Sequence, residues 1–200
     1  MKGRSGLKVG GASSRPNRAE AIVDAALALA EEGGFEHVRQ RDVAARAGVA
    51  LRTLYRNFPT KEELLATGLV RAADELDRRL ARRPFREPTA AGRLTRLFDE
   101  MSAVLCEKPK LARAIVRAVA SGVPGTTGPV LAHTERGVAR VIVALRGRSG
   151  SGGDPTADEI EIAQILIRVW FASLIGWCAL PRHPSFMTQA MAPAIRRLVG

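Results

Sequence analysis

Apolar residues recur at spacings of three and four along most of this 200-residue chain, which is the periodicity of amphipathic helices. Strand signals are scarce, because no short run of Val, Ile, Thr and aromatic residues alternates with polar residues between turn clusters. A first helix is predicted from Arg18 to Glu32, with Asn17 at its N-cap and Gly33-Gly34 at its end. The pattern therefore predicts an all-α protein.

Turn residues divide the rest of the chain into further helices, which makes about nine in all. Gly48 separates two short helices, and Pro59 ends the second of them. Thr60 to Glu63 form a capping box that opens a longer helix. Two Gly/Ser/Thr/Pro clusters, 121–128 and 147–155, flank a later helix, and the second cluster is expected to be mobile. The predicted helices cover residues 40–47, 51–57, 60–82, 93–107, 110–120, 129–146, 156–180 and 185–199.

The two short helices carry the most functional information. Two helices joined by a tight Gly-containing turn form a helix-turn-helix, whose second helix enters the major groove of DNA. Leu54 and Phe58, four residues apart, are expected to pack inward beneath the second helix. The opposite face then carries Leu51, Arg52, Tyr55 and Arg56. An ordinary helical hairpin with a solvated outer face is the alternative interpretation.

The run from Arg46 to Leu64, RAGVALRTLYRNFPTKEEL, resembles the signature of the TetR family of bacterial repressors. In that family an Ala-Gly-Val turn precedes Thr-Leu-Tyr, then Phe, then Ser/Thr-Lys-Glu, and here the similarity covers residues 19–66. The resemblance implies a ligand-responsive transcription regulator that binds a palindromic operator as a homodimer. It implies a three-helix DNA-binding domain at residues 18–64 and an effector-binding and dimerisation domain at residues 65–200.

The family pattern, carried onto this sequence, assigns Tyr55, Asn57 and Lys61 to DNA phosphates. Lys61 opens a helix, and a helix N-terminus with an ammonium group suits a phosphate. Thr53 is expected to touch the DNA backbone or a base edge.

Leu51, Arg52 and Arg56 are the candidate base readers, because an arginine can bridge guanine O6 and N7. The sequence departs from the family pattern at three positions. Arg39 and Ala50 replace the usual Ser/Thr helix caps, and Arg52 replaces a small residue, so Arg52 has both a base and a phosphate as possible targets. The expected DNA-contacting set is completed by Arg39, Arg41 and Ala50.

Beyond Leu65 the resemblance fades. In the family the last two long helices form a four-helix bundle across the dimer axis, and here these are residues 156–180 and 185–199. The first of them is apolar nearly all round from Ile162 onward, so it must be buried on more than one side, by a dimer partner and by a pocket. Plain core packing of its aromatic residues is the alternative.

An apolar stripe on the preceding helices, together with residues of this long helix, is predicted to line an effector pocket. The predicted lining residues are Leu94, Phe98, Met101, Leu105, Ile115, Val119, Trp170, Phe171, Leu174 and Trp177. Few charges accompany them, which favours a hydrophobic or amphipathic effector. The stretch from Val38 to Pro59 also looks like the subgroup of the family that controls sterol and lipid catabolism in actinobacteria, and this implies a steroid-like or acyl-CoA effector.

The net charge of +11 is concentrated toward the N-terminus. Residues 1–61 hold eleven basic and six acidic side chains, and no acidic residue precedes Glu20. Residues 1–17 combine Lys and Arg with Gly, Ser and Pro, which predicts a flexible basic arm. Such an arm is either a solubilising tail or a polyanion-binding segment.

Enzyme signatures are missing from the sequence. There is no nucleophile elbow and no phosphate-binding glycine loop, and His37, His133 and His183 have no partners at metal-ligand spacing. We therefore expect no catalysis, cofactor or metal. Two other classes remain open: a nonspecific architectural DNA-binding protein, and a small helical enzyme or lipid carrier with a basic arm.

The sequence favours a cytoplasmic protein. It has only two cysteines, Cys106 and Cys178, and no apolar segment follows its basic start. The stretch from Ile162 to Leu180 is nearly long enough to span a membrane but includes Gln164 and Arg168, so no membrane association is expected.

Overall fold

A computed structural model describes residues 18–147, 153–180 and 185–200, and these residues form helices and no strand. The all-α prediction is confirmed. The predicted arm at 1–17, the centre of the cluster predicted to be mobile, and His183 lie outside the described residues. The helices are α1 (Arg18–Gly33), α2 (Gln40–Arg46), α3 (Leu51–Asn57), α4 (Lys61–Ala66), α5 (Gly68–Arg82), α6 (Ala90–Cys106), α7 (Pro109–Val119), α8 (Thr127–Arg146), α9 (Ala157–Ala179) and α10 (Ser185–Val199), with 3-10 turns at Phe35–His37 and Pro124–Thr126.

The single helix predicted over residues 60–82 is interrupted at Thr67, so that α4 and α5 are separate helices. The Thr67 hydroxyl donates to the Leu64 carbonyl, and Gly68 follows directly. A Cβ atom on Gly68 would lie 2.5 Å from Ile115 Cδ1 and 3.1 Å from Leu27 Cδ2. The break therefore brings the start of α5 against α1 and α7 more closely than any other residue type would allow.

The hydrophobic residues form two clusters that share one helix. The N-terminal cluster joins α1 to α4, includes the fully buried Leu54, and takes Ala114 and Ala118 from α7. The C-terminal cluster joins α5, α6, α8, α9 and α10, and takes Ala112 and Val116 from α7. Residues four apart lie on one helix face, so α7 has one face in each cluster.

Charged residues connect α5 to α8. Arg140 is buried, and its Nε lies 2.7 Å from Asp77 Oδ1. Arg136 pairs with both Asp74 and Asp77. Hydrogen bonding from Arg140 holds the pKa of Asp77 below its usual value, so this carboxylate stays ionised at neutral pH. These pairs fix the two helices that close one side of the cavity described below.

Within the described residues, α9 is the one helix long and apolar enough to cross a membrane by length and composition. Its buried side chains, which include Leu166 and Trp170, belong to the C-terminal cluster, and α8 and α10 pack against it. These contacts account for its apolar character as that of a core helix.

Candidate DNA interface and ligand cavity

Residues 40–57 form two short helices joined by a tight turn. Gly48 has a φ of +65°, in the left-handed region that favours glycine, and the Val49 N–H donates to the Ala44 carbonyl at 3.0 Å. Val43 and Leu54 are fully buried beneath α2 and α3. A seven-residue helix such as α3 is not stable alone, so its position is set by this packing.

Side-chain hydrogen bonds and caps also define the geometry of the pair. Gln40 Nε2 donates to the carbonyls of Phe58 at 3.3 Å and Pro59 at 3.2 Å, which ties the start of α2 to the end of α3. Arg39 and Ala50 occupy the N-cap positions of α2 and α3, and neither makes a side-chain cap hydrogen bond. A lost cap costs about 1 kcal/mol, so both short helices depend on their packing and on contacts such as those of Gln40.

Most of the predicted DNA-contacting residues on and around α2 and α3 are exposed. The exposed ones are Arg39, Arg41, Ala50, Arg52, Tyr55, Arg56 and Asn57, and Leu51 and Thr53 beside them are half-buried. Asn57 Nδ2 donates to the Thr53 carbonyl at 2.7 Å, so part of its amide is engaged within α3. Within residues 18–147, 153–180 and 185–200, neither Arg52 nor Arg56 has an ion-pair partner. Both guanidinium groups are therefore available to a polyanion.

Lys61, the third predicted phosphate contact, is held by the turn that follows α1. Its Nζ lies 3.9 Å from the centroid of the Phe35 ring, 3.8 Å from Glu36 Oε2 and 3.5 Å from the Phe35 carbonyl oxygen. Only about a quarter of the Lys61 side chain is exposed, at 26%. Sequence reasoning missed both partners of Lys61, because neither has a spacing that relates it to this lysine.

The same turn contacts α7 through Arg117. The Arg117 guanidinium carbon lies 4.2 Å from the Phe35 centroid, and Arg117 Nη1 lies 2.7 Å from Glu36 Oε1. Phe35 and Glu36 therefore contact two cations, Lys61 from the predicted DNA-binding domain at residues 18–64, which we call the DNA-binding head, and Arg117 from α7. We call these four residues the Phe35–Glu36 contact.

A cavity of about 250 Å³ lies between α5, α6, α7, α8 and α9. Seven of the predicted pocket residues line it: Met101, Leu105, Ile115, Val119, Trp170, Phe171 and Leu174. Leu94, Phe98 and Trp177 are not in its wall. They are buried in the C-terminal cluster, where Leu94 and Phe98 precede Met101 on α6 and Trp177 packs with its ring 4.9 Å from the Arg113 guanidinium.

Two helices of the cavity wall, α5 and α8, were not anticipated. Their lining residues are Leu69, Ala72, Ala73 and Leu76 from α5, and Val130, His133, Thr134 and Gly137 from α8. The ion pairs described above bring the two helices together across a long stretch of sequence. Charged residues make up nearly half of α5, and the sequence of α8 does not show which of its faces meets the cavity.

Most polar groups near the cavity are already hydrogen-bonded. Trp170 Nε1 donates to Ser102 Oγ at 3.2 Å, and the Thr134 hydroxyl donates to the Val130 carbonyl at 2.9 Å. Arg168, which is exposed at the rim, donates to Gln164 at 3.3 Å. Two buried side-chain atoms have no hydrogen-bond partner within the described residues: Nδ1 of His133, which lines the cavity, and Nη1 of Arg140, which does not.

The His133 ring is neutral at physiological pH. Burial, followed by the charge of Arg140, lowers its pKa to about 4, and the charge of Arg136 acts in the same direction. A hydrogen bond to the backbone of Leu69 opposes this shift only in part. A neutral imidazole has one N–H and one acceptor nitrogen.

The cysteines and acidic residues give no sign of a reactive or metal centre. Burial raises the pKa of Cys178 to about 11 and also raises that of Cys106, so both remain thiols at neutral pH. Over the described ranges no group of three or more His, Cys, Asp and Glu residues is placed to hold a metal ion.

The chain is similar to known regulators along most of its length. The repressor KstR of Mycolicibacterium smegmatis is 32% identical over 190 residues, which cover 95% of this chain and 91% of that protein. KstR of Mycobacterium tuberculosis is 30% identical over 190 residues, covering 95% and 84%. KstR of Rhodococcus jostii is 32% identical over 188 residues, covering 94% and 85%.

Solved structures share the fold. A TetR transcriptional regulator from Rhodococcus sp. RHA1 superposes with a TM-score of 0.74 at 20% identity, over 90% of this chain and 94% of that one. Thermus thermophilus FadR, a TetR-family repressor solved in complex with lauroyl-CoA, gives a TM-score of 0.65 at 20% identity, over 90% and 92%.

Two family profiles match the chain. Residues 22–67 match the bacterial regulatory proteins of the tetR family, and residues 88–198 match the tetracyclin repressor-like C-terminal domain. The resemblance first noted in residues 46–64 is thus confirmed, and the chain belongs to the tetR family of bacterial regulatory proteins.

Proposed function

We propose that this protein is a ligand-responsive transcriptional repressor, which binds a palindromic operator as a homodimer and leaves it when a small hydrophobic effector enters the cavity. The observation that carries the proposal is the position of α7. This helix supplies Ile115 and Val119 to the cavity wall, Ala114 and Ala118 to the core of the DNA-binding head, and Arg117 to the Phe35–Glu36 contact. A change in the shape of the cavity can therefore be transmitted to the DNA-binding head through α7.

DNA recognition is assigned to α3 and its surroundings. Arg52 and Arg56 are exposed cations on α3, and the major groove is wide enough to admit an α-helix. A bidentate contact from either arginine to a guanine contributes about 1 to 3 kcal/mol of discrimination against the wrong base. Tyr55, Asn57 and Lys61 are assigned to phosphates, which set the register of the protein on the duplex. Operator DNA lies in the cytoplasm, and we place the protein there.

The homodimer is assigned to α9 and α10, within the predicted ranges 156–180 and 185–199. The second half of α9 carries the exposed apolar side chains Phe171 and Ile175, of which Ile175 is 41% exposed, and the exposed Leu180 follows at its C-cap. A cluster of this kind at the surface of a soluble chain is typical of a protein contact. A partner helix pair laid over these residues would form the four-helix bundle implied by the family.

The effector is proposed to be hydrophobic, of the steroid or acyl-CoA type. The cavity wall is almost entirely apolar, and Arg168 at the exposed rim suits an acidic group on an otherwise apolar molecule. The volume of about 250 Å³ lies just below the range of roughly 300 to 1,000 Å³ typical of ligand sites. An effector of this class must therefore displace part of the cavity wall, and α7 is one of the helices that form this wall.

The test is selection of bound sequences from a random DNA library, followed by footprinting on the enriched site. We expect a palindrome whose half-sites are about one helical turn apart, or a multiple of it, and protection of both halves. Arg56→Ala is expected to abolish the enrichment, whereas Arg82→Ala, which removes an exposed arginine from α5, is expected to leave it intact. Uniform coating of DNA would indicate the architectural protein, and no binding would indicate the enzyme or lipid carrier.

A further inference from the structure

Among the described residues that line the cavity, His133 has a buried side-chain nitrogen, Nδ1, without a hydrogen-bond partner. Buried polar atoms in folded proteins are almost always hydrogen-bonded, and one that is not costs about 1 to 3 kcal/mol. An unpaired buried nitrogen in the wall of a ligand cavity is therefore a position where a ligand can supply the missing bond.

The surroundings of the ring decide whether Nδ1 donates or accepts a hydrogen bond. His133 Nδ1 is buried without a hydrogen-bond partner within the described residues, and the backbone of Leu69 raises the pKa of the ring, as a carbonyl that accepts from a ring N–H does. We therefore assign the N–H to Nε2. Nδ1 then carries a lone pair and acts as an acceptor. The cations that face the ring, Arg136 and Arg140, pair with Asp74, Asp77 and the Ala73 carbonyl, and their charge disfavours a second proton on the ring. Arg140 Nη1 has no hydrogen-bond partner within the described residues, but Arg140 is not among the residues of the cavity wall.

We propose that the effector is an apolar molecule with a hydroxyl group at its buried end, and that this hydroxyl donates a hydrogen bond to His133 Nδ1. The inference rests on the proposed function, because it takes the cavity as the effector site. A ketone or ether oxygen in the same place would set two acceptors against each other. The neighbouring Thr134 hydroxyl gives such an oxygen no substitute donor, because it is already bonded to the Val130 carbonyl.

The expected preference follows from the size of one neutral hydrogen bond. The net free energy that one neutral hydrogen bond contributes to binding corresponds to roughly a two- to tenfold change in affinity. The preference for a hydroxyl over an oxygen that cannot donate should therefore be measurable but not absolute, and it should disappear when the acceptor nitrogen is removed.

The experiment compares 1-dodecanol with its methyl ether, two probes that share the chain and the oxygen; in the ether a methyl group replaces the hydroxyl hydrogen, so it has no donor. Their dissociation constants are measured by quenching of tryptophan fluorescence, since Trp170 lies in the cavity wall. We expect the wild type to bind the alcohol about fivefold more tightly than the ether, within the range for one neutral hydrogen bond. His133→Phe should bind the two equally, and the matched control His37→Phe, on an exposed histidine outside the cavity, should keep the preference.

Because each variant is judged by the ratio of two probes, a general loss of stability does not mimic the result. A second variant, His133→Gln, restores a hydrogen-bond acceptor and should recover part of the preference for the alcohol over the ether. Equal binding of the two probes by the wild type, binding of neither, or a preference that survives in His133→Phe would overturn the inference. Operator binding is measured separately: a protein that selects a palindrome but does not prefer the alcohol contradicts this inference alone, and the reverse result contradicts the proposed function alone.

Discussion

Replacement of Arg117 by alanine should weaken the communication between the cavity and the DNA-binding head. Arg117 lies on α7 between cavity-lining positions 116 and 119, and its guanidinium contacts Glu36 at 2.7 Å and the Phe35 ring at 4.2 Å from the centroid. Through Phe35 and Glu36 it shares a contact with Lys61, an assigned phosphate-binding residue. Arg117→Ala removes the α7 side of the Phe35–Glu36 contact and leaves the cavity wall in place.

The expected effect of Arg117→Ala on the coupling is limited by the exposure of its ion pair to solvent. The Arg117 and Glu36 side chains are 59% and 73% exposed, so their ion pair is worth about 0 to 1 kcal/mol. The cation–π contact with Phe35 adds about 0.5 to 1 kcal/mol. Coupling between sites in allosteric proteins is typically about 1 to 3 kcal/mol. Loss of about 1 kcal/mol, or about fivefold in the effector's influence on DNA affinity, is therefore expected.

The assay is fluorescence anisotropy of labelled operator DNA with and without saturating effector, for the wild type, Arg117→Ala, Glu36→Gln and the double variant. The ratio of the two dissociation constants measures the coupling, and it should fall about fivefold in each single variant and little further in the double variant. Arg113→Ala is the matched control, because Arg113 lies on the same helix but faces Trp177 instead of the head. An unchanged ratio in Arg117→Ala, or an equal fall in Arg113→Ala, would refute this reasoning.

Four further predictions follow from the same structure. Arg52→Ala, tested on operators with single-base changes, should relax specificity at one position by about 1 to 3 kcal/mol, whereas uniform weakening would show that Arg52 binds a phosphate. Leu54→Ala should lower the free energy of unfolding by about 2 to 5 kcal/mol in a denaturant titration, because Leu54 is fully buried, whereas exposed Leu131→Ala should stay within about 0.5 kcal/mol. Ile175→Asp should convert the dimer to monomers in sedimentation velocity without a change in helix content, and a dimer that persists would place the interface elsewhere. Finally, the pKa of His133 is lowered to about 4 from an ordinary value of 6.5, so the unfolded chain binds more protons and stability should fall as pH decreases from 6.5 to 4; His133→Phe should show less of this loss in thermal melts, and identical profiles would contradict it.

The DNA-binding half could be predicted from sequence because its signals are local. Gly48, the buried Leu54 and the exposed Arg52 and Arg56 lie within a few residues of one another, and helix periodicity alone separates the inner from the outer face. The interruption at Thr67 was not predictable in this way. It depends on contact of Gly68 with α1 and α7, which lie far away in sequence.

The cavity could be predicted only in part for a related reason. An apolar stripe was visible on α6, α7 and α9, whereas α5 is nearly half charged and the sequence of α8 did not show which of its faces meets the cavity. The roles of α5 and α8 depend on the pairs that Asp77 makes with Arg136 and Arg140. His133 was recognised only as a residue without metal partners. Its significance depends on burial and on the absence of a partner for Nδ1 within the described part of the chain, which no spacing rule reveals. Lys61 was assigned to a phosphate from its position alone, without its contacts to Phe35 and Glu36.

The central claim is that occupation of the cavity and binding of the operator oppose each other. The most direct test is to extract the small molecules that co-purify with the protein, to return them to ligand-free protein, and to measure the operator dissociation constant by anisotropy. We predict that the constant rises at least fivefold as the cavity fills, because an effector acts through its different affinity for the two states. An operator affinity that stays constant while the extracted ligand occupies the cavity would contradict the account.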